Sequence, residues 1–290
     1  MNDAQRLTGL ARRERTGSQK RAIGIKNIQR MLPGTANGMH GGDVPPGTWS
    51  GDTALMAMED SYCDMWDRTE VIDLRTRSLL NVSMMIGVGN VGNQFELQYH
   101  APGAIYNGAT VAELEAIVVH ARAYVGSPCA AWAMMSIIGA LKTHDLLTEP
   151  LPDADVDRKE RTGSQKRAIA RDVLREIDPD SPLLDVNDDV MSADFASELD
   201  YMMLENVYFD LWARTDVLDR RTRSVVTLGL LMGLGNHDAL RAHVPVALRN
   251  GLTVPELEEF VYQAATYLGY MSGASIRGTI ASALDERHPT

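Results

Sequence analysis

The chain contains most of itself twice. ERTGSQKRAI stands at 14–23 and again, unchanged, at 160–169. Sliding the sequence on itself by those 146 positions aligns WDRTEVIDLRTRSLLNVSMMIGVGN (66–90) with WARTDVLDRRTRSVVTLGLLMGLGN (212–236), identical at 12 of 25 positions. Just upstream, EDSYCDMW (59–66) aligns with ENVYFDLW (205–212). Three extra residues around VGNQFELQ in the first copy then cut the offset to 143, and HAPGAIYNGATVAELEAIVVHARAYVG (100–126) aligns with HVPVALRNGLTVPELEEFVYQAATYLG (243–269). A repeat of this length constrains the fold strongly, because whatever one copy builds the other must build too. It divides the 290 residues into two units of domain size, 1–150 and 151–290, with the Pro- and Asp-rich LTEPLPDADVD (147–157) as the linker.

Each unit reads as all-α. A long aliphatic run follows Asp73 and Asp219, both of a residue type that caps helix N-termini. Thr110 with Glu113, and Thr253 with Glu256, fit a capping box, in which each side chain satisfies the other's free backbone N–H. Asn107-Gly108 and Asn250-Gly251 fit helix C-termini, so each copy holds a helix, a stop and a newly capped helix. No segment alternates with period two over strand length, so almost no sheet is expected.

A net charge of −11 argues against nucleic acid and anionic membrane surfaces as partners. The cysteines, Cys63 and Cys129, form neither a disulfide framework nor a zinc spacing. The N-terminus lacks a signal-peptide core and no run approaches 18 apolar residues, so a cytoplasmic protein is expected. There is no GxGxxG, P-loop, GxSxG or HExxH, which leaves acid/base chemistry on an anionic substrate without metal or organic cofactor.

Four features recur in both copies. His100 and His243 are each followed two positions on by proline, Pro102 and Pro245, which removes a backbone donor and places the histidine at a helix start or kink. Arg68, Arg75 and Arg77 match Arg214, Arg221 and Arg223. Arginine at the positive end of a helix is mildly unfavourable, so these either grip a substrate carboxylate or pair with the many acids of the chain. Trp66 and Trp212 follow Glu59 and Glu205, which are proton carriers if buried. Tyr124 and Tyr267, ahead of Gly126 and Gly269, present an aromatic body with a polar tip.

WARTDVLDRRTRS, HVPVALRNGLTVPE and YLG, with their counterparts in the first copy, resemble the carboxymuconolactone decarboxylase family across both halves. The family's thiol peroxidase branch carries two cysteines upstream of the histidine; Asn93 and Glu96, and Asn236 and Ala239, stand there instead, so the lactone branch is the one resembled. The resemblance implies loss of CO2 from a small carboxylated lactone without any cofactor. In that reading Arg68, Arg75, Arg77, Arg214, Arg221 and Arg223 hold carboxylates and the developing oxyanion. Trp66, Trp212, Tyr124 and Tyr267 line the substrate site. His100 and His243, near their switching point at neutral pH, return a proton to carbon, with Glu59 and Glu205 as further proton carriers. His120, opposite Gln263 in the second copy, adds an ionisable group and tips the expectation towards the first copy as the more active pocket. Fused copies of a ring-forming domain imply a homotrimer, with pockets at domain contacts. The alternatives are a non-catalytic small-acid-binding or structural ring, or a related lactone isomerase or lyase.

Overall fold

The computed structural model describes residues 9–31, 33, 51–147 and 156–286. The Gly/Pro-rich segment 34–50 and most of the expected linker, 148–155, lie outside them. Among the described residues there are helices and no strands, as the patterning requires. The first copy comprises α1 (Gly17–Met31), α2 (Gly51–Met56), α3 (Leu74–Val88), α4 (Val91–Tyr106) and α5 (Val111–Thr143). The second repeats it as α6 (Gly163–Ile177), α7 (Glu198–Met203), α8 (Arg220–Leu234), α9 (His237–Arg249), α10 (Val254–Tyr267) and α11 (Tyr270–Asp285). α2 and α7 each run straight into nine residues wound as π-helix, Ala57–Met65 and Leu204–Trp212.

The count differs between copies only in name. α5 is broken at Gly126 (φ 78°, ψ 159°), and Gly269 between α10 and α11 has almost the same conformation (φ 96°, ψ 148°). Both lie at positive φ, where a side chain is strained, so the glycine fixes the corner in each copy. By length and mean hydropathy, 1.4, α5 could cross a membrane, but this corner splits it and Leu114, Ile117 and Ala121 of its first half are packed in the core.

The expected start and stop signals act as read. Asp73 accepts from the Thr76 N–H at 2.7 Å and Asp219 from Thr222 at 2.6 Å. Both capping boxes close. Gly108 and Gly251 take φ of 98° and 96° and end α4 and α9.

The two copies are packed face to face. α3 and α8 are buried almost all round, which is the pattern of a central core helix, and they pack on one another. Their contact is backbone to backbone: a Cβ on Gly233 would lie 2.3 Å from the Met84 carbonyl oxygen, and one on Gly87 would lie 2.4 Å from that of Leu230. One hydrophobic core therefore spans both copies, joining Leu80, Met84 and Leu114 to Val226, Leu230 and Phe260.

The doubled string ERTGSQKRAI opens α1 and α6 and docks each onto its π-wound segment. Thr16 and Gln19, and Thr162 and Gln165, cap the helix starts. Arg21 pairs with Glu59 at 2.5 Å and Arg167 pairs with Glu205. The glycine lets the carboxylate close in, since a Cβ on Gly17 would lie 2.9 Å from the Glu59 oxygen and one on Gly163 2.7 Å from that of Glu205. The threonine, glutamine and second arginine of the repeated string thus make the same contacts twice, and its glycine makes room for them.

Candidate active site

Packing the copies together makes two composite sites, each taking residues from both copies. In one, Trp66, Arg68, Arg77 and His100 meet Glu259, Gln263 and Tyr267. The buried Arg77 donates to Gln263 Oε1 at 3.1 Å, to Glu259 Oε2 at 2.9 Å and to the Arg68 carbonyl at 2.5 Å. Trp66 Nε1 donates to the Tyr267 hydroxyl at 2.7 Å. In the other, Trp212, Arg214, Arg223 and His243 meet His120 and Tyr124. The buried Arg223 donates to His120 Nδ1 at 3.2 Å and to the Arg214 carbonyl, and Trp212 Nε1 donates to the Tyr124 hydroxyl at 3.3 Å. The duplication maps these bonds onto one another, with His120 replacing Gln263, except that the Arg77–Glu259 bond has no counterpart.

That replacement changes the chemistry. A guanidinium only donates, so Arg223 fixes His120 Nδ1 as an acceptor and puts the ring proton on Nε2. Nε2 then donates to Thr227 Oγ1 at 2.8 Å, and Thr227 donates to the Tyr124 hydroxyl at 3.5 Å. With Trp212 donating to the same oxygen, the Tyr124 phenol receives two hydrogen bonds and keeps its own proton to give. Burial raises the Tyr124 pKa, and the bonds from Thr227 and Trp212 oppose that rise. The chain Arg223–His120–Thr227–Tyr124 is broken in the other site. Gln263 Nε2 turns back to the Arg77 carbonyl at 2.9 Å, and Asn81, which stands for Thr227, is buried with neither side-chain atom hydrogen-bonded.

Tyr124, Trp212 and His243 line a cavity of about 370 Å³, with Tyr208, Met202 and Val207 completing the wall. His120 lies directly behind it, its ring 5.1 Å from Tyr124 and 5.5 Å from Trp212. His243 Nδ1 is held by the Ala239 carbonyl at 2.9 Å, which leaves Nε2 as the acceptor nitrogen. The volume suits a small molecule, and the lining is mostly apolar with a few convergent polar groups.

The histidines differ from expectation in two respects. Pro102 and Pro245 do not place them at a helix start: His100 sits inside α4 and His243 inside α9, each helix continuing past its proline. Nor do they stand near their switching point. Burial lowers His100 to about 4, and lowers His243 as well. Burial, with the charge of Arg223 and the ring of His243, lowers His120 well below its ordinary value. All three are neutral at pH 7 in the free protein. His100 is enclosed between the Trp66 and Tyr267 rings, and neither of its nitrogens is hydrogen-bonded.

Four other residues expected at the site lie elsewhere. Arg75 and Arg221 pair with Glu113 and Glu256, the capping-box acids of α5 and α10, so they tie helices together. Glu59 and Glu205 are taken by Arg21 and Arg167. Sequence reading also passed over Glu259, Thr227 and Tyr208, and took Gln263 only as the counterpart of His120. The available signal was the alignment of the copies: Glu259 faces Ala116, Gln263 faces His120 and Thr227 faces Asn81, which are polar differences inside otherwise matching helices.

The fold and these sites define a tandem pair of small helical domains that share their pockets. The chain belongs to the carboxymuconolactone decarboxylase family, which it matches over residues 54–136 and 201–275. It is 34% identical to 4-carboxymuconolactone decarboxylase of Acinetobacter baylyi over 76 residues, 26% of this chain and 56% of that protein. It is 38% identical to nitrosuccinic acid decarboxylase npaB of Metarhizium robertsii over 68 residues, 23% of this chain and 47% of that protein. The chain thus spans about half the length of the curated relatives it matches.

Proposed function

We propose that the protein is a decarboxylase of a small carboxylated unsaturated lactone, of the 4-carboxymuconolactone kind, and that its chemistry occurs in the cavity of Tyr124, Trp212 and His243. The observation that carries this reading is the hydrogen-bond chain from Arg223 through His120 and Thr227 to the Tyr124 hydroxyl at the cavity wall. The names of both relatives, which are decarboxylases, support the reaction class.

When the carbon–carboxylate bond breaks, its electron pair passes into the conjugated lactone and appears as an oxyanion on the ring carbonyl. CO2 leaves, and one proton must then be delivered to carbon. Tyr124 is the group that meets the oxyanion, because its hydroxyl receives two hydrogen bonds and is left to donate. His243 is the group that returns the proton. Its burial keeps it neutral in the free site, and an arriving carboxylate raises its proton affinity, so the imidazole charges as the substrate binds. Arg223 stays charged, since burial lowers it only to about 10.

The test is CO2 release from 4-carboxymuconolactone, followed with loss of the lactone's ultraviolet absorbance. His243→Asn is expected to lower kcat by about 10²–10⁴, the usual worth of a positioned acid. His100→Asn is expected to stay within a few-fold of the parent. A folded protein that releases no CO2, or one that depends on His100 and not on His243, overturns the reading. In the first case a non-catalytic small-acid-binding protein, or a lactone isomerase or lyase, takes its place.

A further inference from the structure

The duplicate sites differ most in charge. Where Arg68 and Arg77 lie, Glu259 bridges them: Arg68 Nε and Nη2 reach its two oxygens at 2.5–3.1 Å, and Arg77 Nη2 reaches it at 2.9 Å. This carboxylate is 6% exposed. Burial pushes its pKa up, but the hydrogen bonds and charges of Arg68 and Arg77 outweigh that and hold it below the ordinary range. Arg68 also stacks over Tyr262 at 4.5 Å.

In the other site the residue aligned with Glu259 is Ala116. The register is fixed independently, since His120 meets Arg223 as Gln263 meets Arg77, and each stands four residues beyond the position in question. Arg214 and Arg223 thus lie close enough for their charges to repel, with Ala116 where the other site has its acid. Among the described residues Arg214 makes no ion pair, and Arg223 contacts only His120 and the carbonyls of Arg214 and Leu218. Beyond burial, the charges acting on Arg223 are the repelling guanidiniums of Arg214 and Arg158 and the attracting Asp216 and Tyr124, and it pairs with neither of the last two. Two adjacent guanidinium groups without a counter-ion in a mostly buried setting are costly unless an anion joins them.

We propose that Arg214 and Arg223, over Ala116, form an open site for the carboxylate of the acid on which the protein acts, and that the duplicate of this site is permanently filled by Glu259. Glu259 is the chain's own copy of the ligand: it shows the group that fits, a carboxylate bridging both arginines. Each chain therefore has one open site and one closed one. The inference rests on the reading above that the protein acts on a small carboxylic acid, but it is tested by binding alone.

Succinate, a plain dicarboxylate, is titrated into the intact chain by calorimetry, and melting temperature is recorded with and without it. The parent is expected to bind one equivalent and to melt higher with succinate. Ala116→Glu is expected to bind none and to melt higher than the parent without ligand, because it recreates the buried ion pair. Arg214→Gln is expected to weaken binding about tenfold or more, the effect of losing one charged partner. Glu259→Ala is expected to add a second equivalent. No binding by the parent, or an Ala116→Glu protein that binds as the parent does, overturns the proposal. If Ala116→Glu fails to fold, undiminished affinity in Arg214→Gln overturns it equally. Succinate binding as described without lactone turnover would leave the carboxylate site standing and remove the decarboxylase reading. Turnover without succinate binding would do the reverse.

Discussion

A single histidine shows how burial converts into pH dependence. His100 is held near pKa 4 against about 6.5 in the unfolded chain, so between those values the unfolded state binds a proton that the folded state refuses. The stabilisation is therefore complete above about pH 6.5 and is lost as pH falls towards 4, at about 1.4 kcal/mol per pH unit. His100→Gln is expected to flatten the fall of unfolding free energy between pH 7 and 5, measured by urea titration, by roughly one proton's worth. The same scale holds the test of the hydrogen-bond chain. Thr227→Val keeps the shape of the side chain but cuts the link between His120 and Tyr124, and a lost hydrogen bond of about 1.4 kcal/mol predicts a tenfold lower kcat with KM nearly unchanged. A KM effect of equal size would point to misplaced substrate instead. Trp212, Tyr124, His243 and Arg223 were legible in the sequence because each recurs in both copies. Thr227 and Glu259 were not, because they matter by being different from their counterparts, and repetition as a signal hides difference.

At the scale of elements, caps and stops were readable because they are local. Asp73, Thr110 and Gly108 need only their own neighbours to act. The π-wound segments gave no sign, since Ala57–Met65 and Leu204–Trp212 have ordinary helical composition. The partner of α3 was equally invisible. Gly87, Gly229 and Gly233 fit any flexible or close-packed helix, and only the structure shows the opposing backbone a few ångströms away. Gly233→Ala is expected to force α8 from α3 and to cost about 1–3 kcal/mol, the usual effect of overpacking a core, despite alanine's higher helix propensity. Unchanged or raised stability in a denaturant titration would mean that the helices part without penalty. The proline positions were misread because Pro102 and Pro245 do not end their helices, although each removes a donor.

At the scale of the molecule, the duplication was plain in the sequence, but the sharing of pockets was not, because sequence alignment compares the copies without saying that they touch. We propose that three chains assemble through the large apolar side chains left uncovered on the second half of α5 and the first turn of α11, Trp132, Met135, Tyr270 and Met271, which are 59–80% exposed. Light scattering is expected to give three times the 31.8 kDa chain, and a double Trp132→Glu, Met271→Glu variant a single one. A parent that elutes as a monomer would remove the ring. The joining of two copies in one chain has a consequence for what selection can do. Two identical subunits around a twofold axis must carry the same residue at both equivalent points, so a glutamate that braces one pocket would block the other. Fusion breaks that symmetry. One pocket can then drift into a brace between the halves while its twin remains under selection for its ligand, and the gene can alter either without touching the other.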